Sequence, residues 1–521
     1  MKNSEISGLY SEKLLDMAAG FVRNNRYTIL GSLLAGFLAY MFMITNKYPN
    51  HDELVAMFTA GATVESGRWG LEILSKLVPD MSMPWIHGIV SMTLLTLGSC
   101  LIVHIFQIRT RILQMLLGGL IVAFPAQICT FTFMYTASAY AIAFLLAVAA
   151  VYFMTRERIW HRIAGAACLV GSLSIYQAYL AIVVSLLILY YFFALLCGQM
   201  DTKGALIRGL GAILLLLASL VIYWLISQAV WRVTGVGMGQ YAGSALALDI
   251  GSIPGQIKAA YTSFFRTLLF RENGIVVTRL ARVAHPILLA LTLCMTLLWG
   301  IRSKKWGALL LMLLLLALLP LGIGCMYLLF SGESIHTLVL YSYIALYVLF
   351  AGVVECSLTA GSRSGLAEKW IRLSSDGMIL LMAAVLAGNI YIANKAYLSM
   401  HMSYENTYFY TTAILTRLQD TPGYTTDSKV AIIGEYTEPY YHDVFFSDLE
   451  QLIGVRKLSP NAYSIGGFFE YYNGIPLRLA SREEIESVAG TEAFHEMACY
   501  PNDGYMEMID GMIVIKLSEL P

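Results

Sequence analysis

Charge is scarce in this sequence. Only 13% of its 521 residues are Asp, Glu, Lys or Arg, about half the share of an ordinary soluble domain. With 58% hydrophobic residues and a mean hydropathy of +0.66, this scarcity excludes a soluble globular enzyme and a disordered chain. A basic excess is missing too. The 34 basic residues balance the 34 acidic ones, so nothing points to nucleic acid. No CxxC motif or Cys/His pair has metal-ligand spacing. There is no phosphate-binding loop, GxSxG, HExxH or dinucleotide fingerprint, which argues against ATP-driven transport and zinc proteolysis. The apolar runs carry no charges at their centres, as ion-coupled carriers usually require. About 27 polar, mixed-charge residues precede the first apolar run, unlike a cleavable signal peptide.

What is present is a series of long apolar runs. A spanning helix needs roughly 20 apolar residues. Eleven segments meet or approach that length: 28–46, 85–107, 112–131, 136–154, 163–177, 179–197, 209–231, 284–301, 306–330, 335–357 and 376–396. The fifth and sixth are divided only by Ser172, Ser174, Tyr176 and Gln177, so 163–197 reads as two spans or as a re-entrant pair. Lys and Arg alternate along the short connections. They follow the second, fourth, sixth, eighth and tenth spans and precede the first, which predicts a cytoplasmic N-terminus. Residues 1–27 form the expected cytoplasmic segment. Residues 28–396 form the membrane module, with outer loops 47–84 and 232–283. Residues 397–521 hold 18 of the 34 acidic residues and no long apolar run, so they read as an extracytoplasmic soluble domain. Apolar positions at helical spacing in 53–77 and 255–271 predict amphipathic helices at the interface. In the tail, Lys429–Gly434 and Met512–Leu517 read as buried strands and 404–419 as a helix, so the expected domain is α/β.

Five places in the sequence could carry chemistry. Pro49-Asn50-His51-Asp52-Glu53 sets two adjacent carboxylates where the chain leaves the first span. Asn50 and Glu53 have capping-box spacing, and acids suit a helix N-terminus. Alternatively, a carboxylate at the membrane surface is a general base for an incoming hydroxyl. Both readings hold together if Asn50 and Glu53 cap while Asp52 faces the substrate. Gly67-Arg68-Trp69 offers a guanidinium for a phosphate, or a snorkelling Arg beside an interfacial Trp. Arg266, Arg271, Arg279 and Arg282, with His285, form an outer basic cluster that suits an anionic headgroup or a solvated face. In the turn 331–336, His336 is an ionisable group just inside a span. Tyr135, Tyr140, Tyr176, Gln177 and Tyr179 gather at outer span ends, as an aromatic belt or as a surface for a sugar ring.

The order of these features carries a resemblance. One span leads to Asp52-Glu53, then to Gly67-Arg68-Trp69, and later to Ser174-Ile175-Tyr176-Gln177-Ala178-Tyr179. The tail holds Lys429-Val430-Ala431-Ile432-Ile433-Gly434, Tyr500-Pro501-Asn502-Asp503-Gly504 and Ile513-Val514-Ile515-Lys516-Leu517-Ser518. From about residue 25 to the end, the chain resembles the bacterial Gtr type II glucosyltransferases, the O-antigen serotype-converting type. The resemblance implies an α-helical polytopic enzyme of the GT-C class in the bacterial cytoplasmic membrane. It implies a polyprenyl-phosphate sugar donor, undecaprenyl-phosphate glucose, and a hydroxyl of a cell-surface glycan as acceptor, on the extracytoplasmic side. Asp52 matches the family's catalytic base, and whether Glu53 shares the role stays open. Donor phosphate would meet Arg68 with Arg271, Arg279, Arg282 and His336. Sugar or acceptor would meet Trp69, Tyr135, Tyr176 and Gln177. The turn between spans three and four carries no second acid, which leaves a divalent-metal role open and no cofactor assigned. A flippase for a lipid-linked glycan and a polysaccharide ligase are the competing readings.

Overall fold

A computed structural model of the chain describes residues 10–59, 63–76, 81–237, 239, 250–269, 275, 277–329, 335–359, 366–435, 444–455 and 464–519. The chain is a polytopic helical protein with a small sheet at its C-terminal end. Its helices are α1 (Tyr10–Ile44), α2 (His51–Ala56), α3 (Trp69–Ser75), α4 (Pro84–Ile105), α5 (Arg111–Val122), α6 (Pro125–Thr132), α7 (Met134–Met154), α8 (Ile159–Ile175), α9 (Leu180–Leu196) and α10 (Thr202–Thr234). Beyond them come α11 (Ile253–Leu269), α12 (Arg279–Ser303), α13 (Trp306–Ile323), α14 (Ile344–Thr359) and α15 (Leu366–Gln419).

Each of the eleven expected runs coincides with a helix or a bent pair. Among the described residues nine helices are long and apolar enough to cross a membrane, and the pair α5–α6, bent by 42°, passes only as a unit. The run at 163–177 is a 17-residue helix, α8. It lies against α7 and α10, whereas α9 lies against α13 and α14. Two segments run longer than expected. Helix α1 begins at Tyr10, inside the polar N-terminal stretch. Helix α15 continues through residue 397 to Gln419, so the last span and the predicted helix 404–419 are one element. The segments 53–77 and 255–271, expected to be helical, contain α2, α3 and α11.

The α5–α6 bend has a chemical cause. Pro125 opens α6 and has no N–H, and the residue before it, Phe124, is extended, as a following proline favours. The carbonyls of Ile121 and Val122 therefore lose helical partners inside an apolar bundle, where an unpaired carbonyl is expensive. Buried tyrosines replace them: Tyr341 donates to Ile121 O at 2.9 Å and Tyr40 to Val122 O at 2.8 Å. Close packing of α1 on α5 needs small residues. A Cβ on Gly31 would sit 2.1 Å from Met115 O, and one on Gly118 2.7 Å from Thr28 O, so the two backbones touch through glycines.

The tail sheet has the order β2-β1-β4-β3. Its members are β1 (Lys429–Ile433), β2 (Arg478–Leu479), β3 (Met506–Ile509) and β4 (Met512–Lys516). β1 pairs parallel with β2 and β4, and β3 pairs antiparallel with β4. Both predicted strands are the buried central pair. The helix Arg482–Ala489 carries a full capping box from Ser481 and Glu484. Lys516 is fully buried, and its ammonium donates to the carbonyls of Phe494 and Met497 at 3.2 and 3.1 Å, the orphan acceptors of a helix C-terminus.

The tail sits on the segment between α1 and α4. Leu54 of α2 and Phe468 of the helix Ile465–Tyr471 are both completely buried together. His51 Nδ1 lies 2.7 Å from Ser464 Oγ. A Cβ on Gly467 would come within 2.3 Å of Leu54 O.

Candidate active site

The short helix α2 is built by its cap. Asn50 is extended, and its Oδ1 accepts the Glu53 backbone N–H at 2.8 Å. Its amide donates to Thr132 O at 2.9 Å, so the cap also pins α2 to the end of α6. The two carboxylates that follow separate completely. Glu53 is fully buried. Its Oε1 lies 2.7 Å from Lys47 Nζ and accepts a hydrogen bond from Ser82. Burial pulls the Lys47 ammonium below its ordinary range, and Glu53 pulls it back up. The expected return bond from Glu53 to the cap residue is replaced by this ion pair. Asp52, one residue earlier, is exposed and has no hydrogen-bond or ion-pair partner among the described residues.

Gly67-Arg68-Trp69 is a turn stitched to the bundle. Gly67 has φ +74°, and a Cβ there would meet the Tyr223 hydroxyl at 2.7 Å. Tyr223 donates to Gly67 O at 3.0 Å, Trp231 to Val64 O at 2.7 Å, and Gln177 Nε2 to Ser66 O at 2.8 Å. The Trp69 indole donates to Ser227 Oγ at 3.2 Å. Tyr223, Trp231 and Ser227 thus hold the loop to α10, and Gln177 holds it to the junction of α8 and α9. That framework aims Arg68, which donates to the Tyr140 hydroxyl at 3.2 Å and lies 5.3 Å above the Tyr176 ring. Tyr140 and Tyr176 stack at 4.2 Å, and both are buried, so they are not a lipid-facing belt.

Tyr135 is half-buried at the start of α7. Asp52, Glu53, Arg68 and Tyr140 all act electrostatically on its hydroxyl. The candidate groups are thus an exposed carboxylate, a guanidinium held over an aromatic face, and a phenol that both charges influence electrostatically. Such a set can take a proton, offset a developing negative charge and stack on a ring.

The other sequence candidates lie elsewhere. Arg279 and Arg282 stand in the first turn of α12, after the Thr278 cap. Arg279 is exposed, Arg282 is half-buried, and neither has an ion-pair partner among the described residues. Arg266 is exposed on α11. His285 is buried, 3.1 Å from the Tyr347 hydroxyl. His336 caps the 3₁₀ segment Thr337–Tyr343. Arg271 lies outside the described residues. No group of three or more His, Cys, Asp or Glu side chains that could hold a metal ion occurs among the described residues.

Sequence reasoning missed Lys47 and Ser82, which occupy Glu53, and Tyr472 of the tail. Burial raises the Tyr472 phenol, and the Glu53 carboxylate adds to that. Tyr472 stands more than 400 positions from Glu53 in the chain, and no local pattern encodes such a pairing.

The family model described as Glucosyl transferase GtrII matches residues 41–349. That stretch contains α2, the Arg68 turn and the tyrosine stack. No curated protein matches the chain.

Proposed function

We propose a specific reaction from one premise: the chain belongs to the GtrII glucosyl transferase family, so its chemistry is transfer of a glucosyl group. The donor is a polyprenyl-phosphate glucose and the acceptor a hydroxyl of a surface glycan. The site works at the outer face of the bacterial cytoplasmic membrane. The observation that carries this reading is the split of the acidic pair, which leaves Asp52 exposed and unpaired among the described residues while Arg68 is held over the Tyr176 ring.

Asp52 takes the proton of the acceptor hydroxyl. The acceptor oxygen then bonds to the anomeric carbon, whose bond to the phosphate oxygen breaks. The electron pair leaves with the polyprenyl phosphate. Arg68 offsets the charge that grows on that oxygen, where a fixed cation acts most strongly. A single displacement inverts the anomeric centre. Glu53 has no part in the proton transfer, because Lys47 and Ser82 already hold it. Tyr135 and the Tyr176 face contact sugar. Arg279 and Arg282 add positive charge that attracts the anionic donor.

The test is transfer of labelled glucose from polyprenyl-phosphate glucose to glycan acceptor by the purified chain. Asp52→Asn should fold and lose transfer, and full turnover by that variant would remove the base assignment. Failure of the parent to use this donor, with use of a pyrophosphate-linked glycan instead, would favour the ligase reading.

A further inference from the structure

A polar cavity lies at the end of the helices opposite the Asp52 locus. Its volume is about 650 Å³. Tyr152, on its wall, is seventeen residues along α7 from Tyr135 (135 to 152), which places it about 25 Å from the Asp52 locus at 1.5 Å per residue. The two sites are therefore separate.

The lining is basic and rich in amides. Arg109, Arg156 and His104 supply cationic or donor groups, and Gln107, Gln114 and Gln199 supply amides. Among the described residues no acidic side chain lines this cavity. Arg156 lies 4.3 Å above the Tyr152 ring, which orients its guanidinium. An adjoining recess of about 200 Å³ contains Glu355, whose Oε2 accepts the Thr110 N–H at 3.0 Å.

The local backbone is strained towards the cavity. Gln107 has φ 53° at the position after the α4 C-cap, with Ile108 N bonded to Val103 O at 3.1 Å. Glycine normally fills such a left-handed position, and a larger residue there costs about 1 kcal/mol. The chain instead keeps a side chain that reaches the cavity wall.

We infer that this cavity is a binding site for a phosphate group, distinct from the transfer site. Two guanidiniums with several amide donors suit phosphate oxygens, and basic pockets between membrane helices hold lipid headgroups. The phosphate belongs to an anionic lipid headgroup or to a small soluble phosphate.

The experiment uses the purified full-length chain in detergent. Retention of phosphatidylglycerol against phosphatidylcholine is read by native mass spectrometry, and stabilisation by inorganic phosphate is read by thermal unfolding. The R109Q/R156Q double variant removes two charges and should lose affinity for the bound anion about thirtyfold. Arg158→Gln removes an exposed charge outside the cavity and should change neither reading. Selective retention of phosphatidylglycerol identifies a lipid headgroup, whereas stabilisation by inorganic phosphate without lipid retention identifies a soluble ligand. Each supports the site if the double variant abolishes it. Equal binding by parent and double variant, an equal loss in Arg158→Gln, or binding of neither probe overturns it. If the double variant does not fold, Arg109→Gln is measured alone, and parent-like binding there overturns the site. No readout depends on glucosyl transfer, so this site and the proposed reaction fail independently.

Discussion

Glu53 Oε1 lies 2.7 Å from the Lys47 ammonium, and that pairing separates two adjacent acids into a buried, paired one and an exposed one. Removing the cation leaves a buried carboxylate uncompensated, which costs on the order of 3 kcal/mol. Lys47→Met should therefore lower the unfolding temperature. Glu53→Gln keeps the size of the side chain without the charge and should be better tolerated, and thermal unfolding of the two variants checks the order.

Asp52→Asn should leave that unfolding temperature nearly unchanged. Its carboxylate is exposed and gives α2 only a helix-dipole contribution of about 0.3–1 kcal/mol. Transfer should fall by about 10²–10⁴-fold, the usual contribution of a positioned base. A large stability loss with unchanged transfer per folded molecule would reverse the assignment.

Arg68→Lys keeps the charge and removes the planar group that lies over Tyr176 and donates to Tyr140. A point charge does not reproduce that geometry. The turnover number should drop by about 10²-fold, more than the Michaelis constant rises, as steady-state kinetics with varied donor would show.

Gly467→Ala places a methyl group 2.3 Å from Leu54 O. Overpacking of this kind costs about 1–3 kcal/mol, and here it pushes the tail off α2. The 464–472 segment should become sensitive to limited proteolysis, with loss of transfer in proportion, because α2 carries Asp52.

Lys429 hydrogen-bonds Glu484 and holds its carboxyl below the usual range. The folded pKa is depressed, so the stabilisation is present above the unfolded pKa of about 4.3 and is lost as pH falls below it. The parent should be more stable than Glu484→Gln at about pH 6, and the gap should narrow at about pH 3.5. Thermal unfolding at both values measures it.

Residue patterns alone located the apolar runs, the two central tail strands, the short helices α2, α3 and α11 and the Asn50 cap, because each depends on local periodicity or on side chains a few positions apart. The acidic pair and the Gly67-Arg68-Trp69 turn were also legible as candidates. Their division of labour was not. Whether Asp52 or Glu53 stays exposed depends on Lys47 and Ser82 packing around one of them, and Ser82 is 29 positions away. The union of Arg68 with Tyr140 and Tyr176 likewise needs α3, α7 and α8 to assemble.

Composition and periodicity determined that this chain would be a bundle of apolar helices with a charged α/β tail, since burial of apolar surface and backbone pairing leave little choice. Only the assembled fold decided which carboxylate was neutralised and which polar groups faced a cavity. Those outcomes are set by contacts between distant segments, whose energies do not exist until the helices pack.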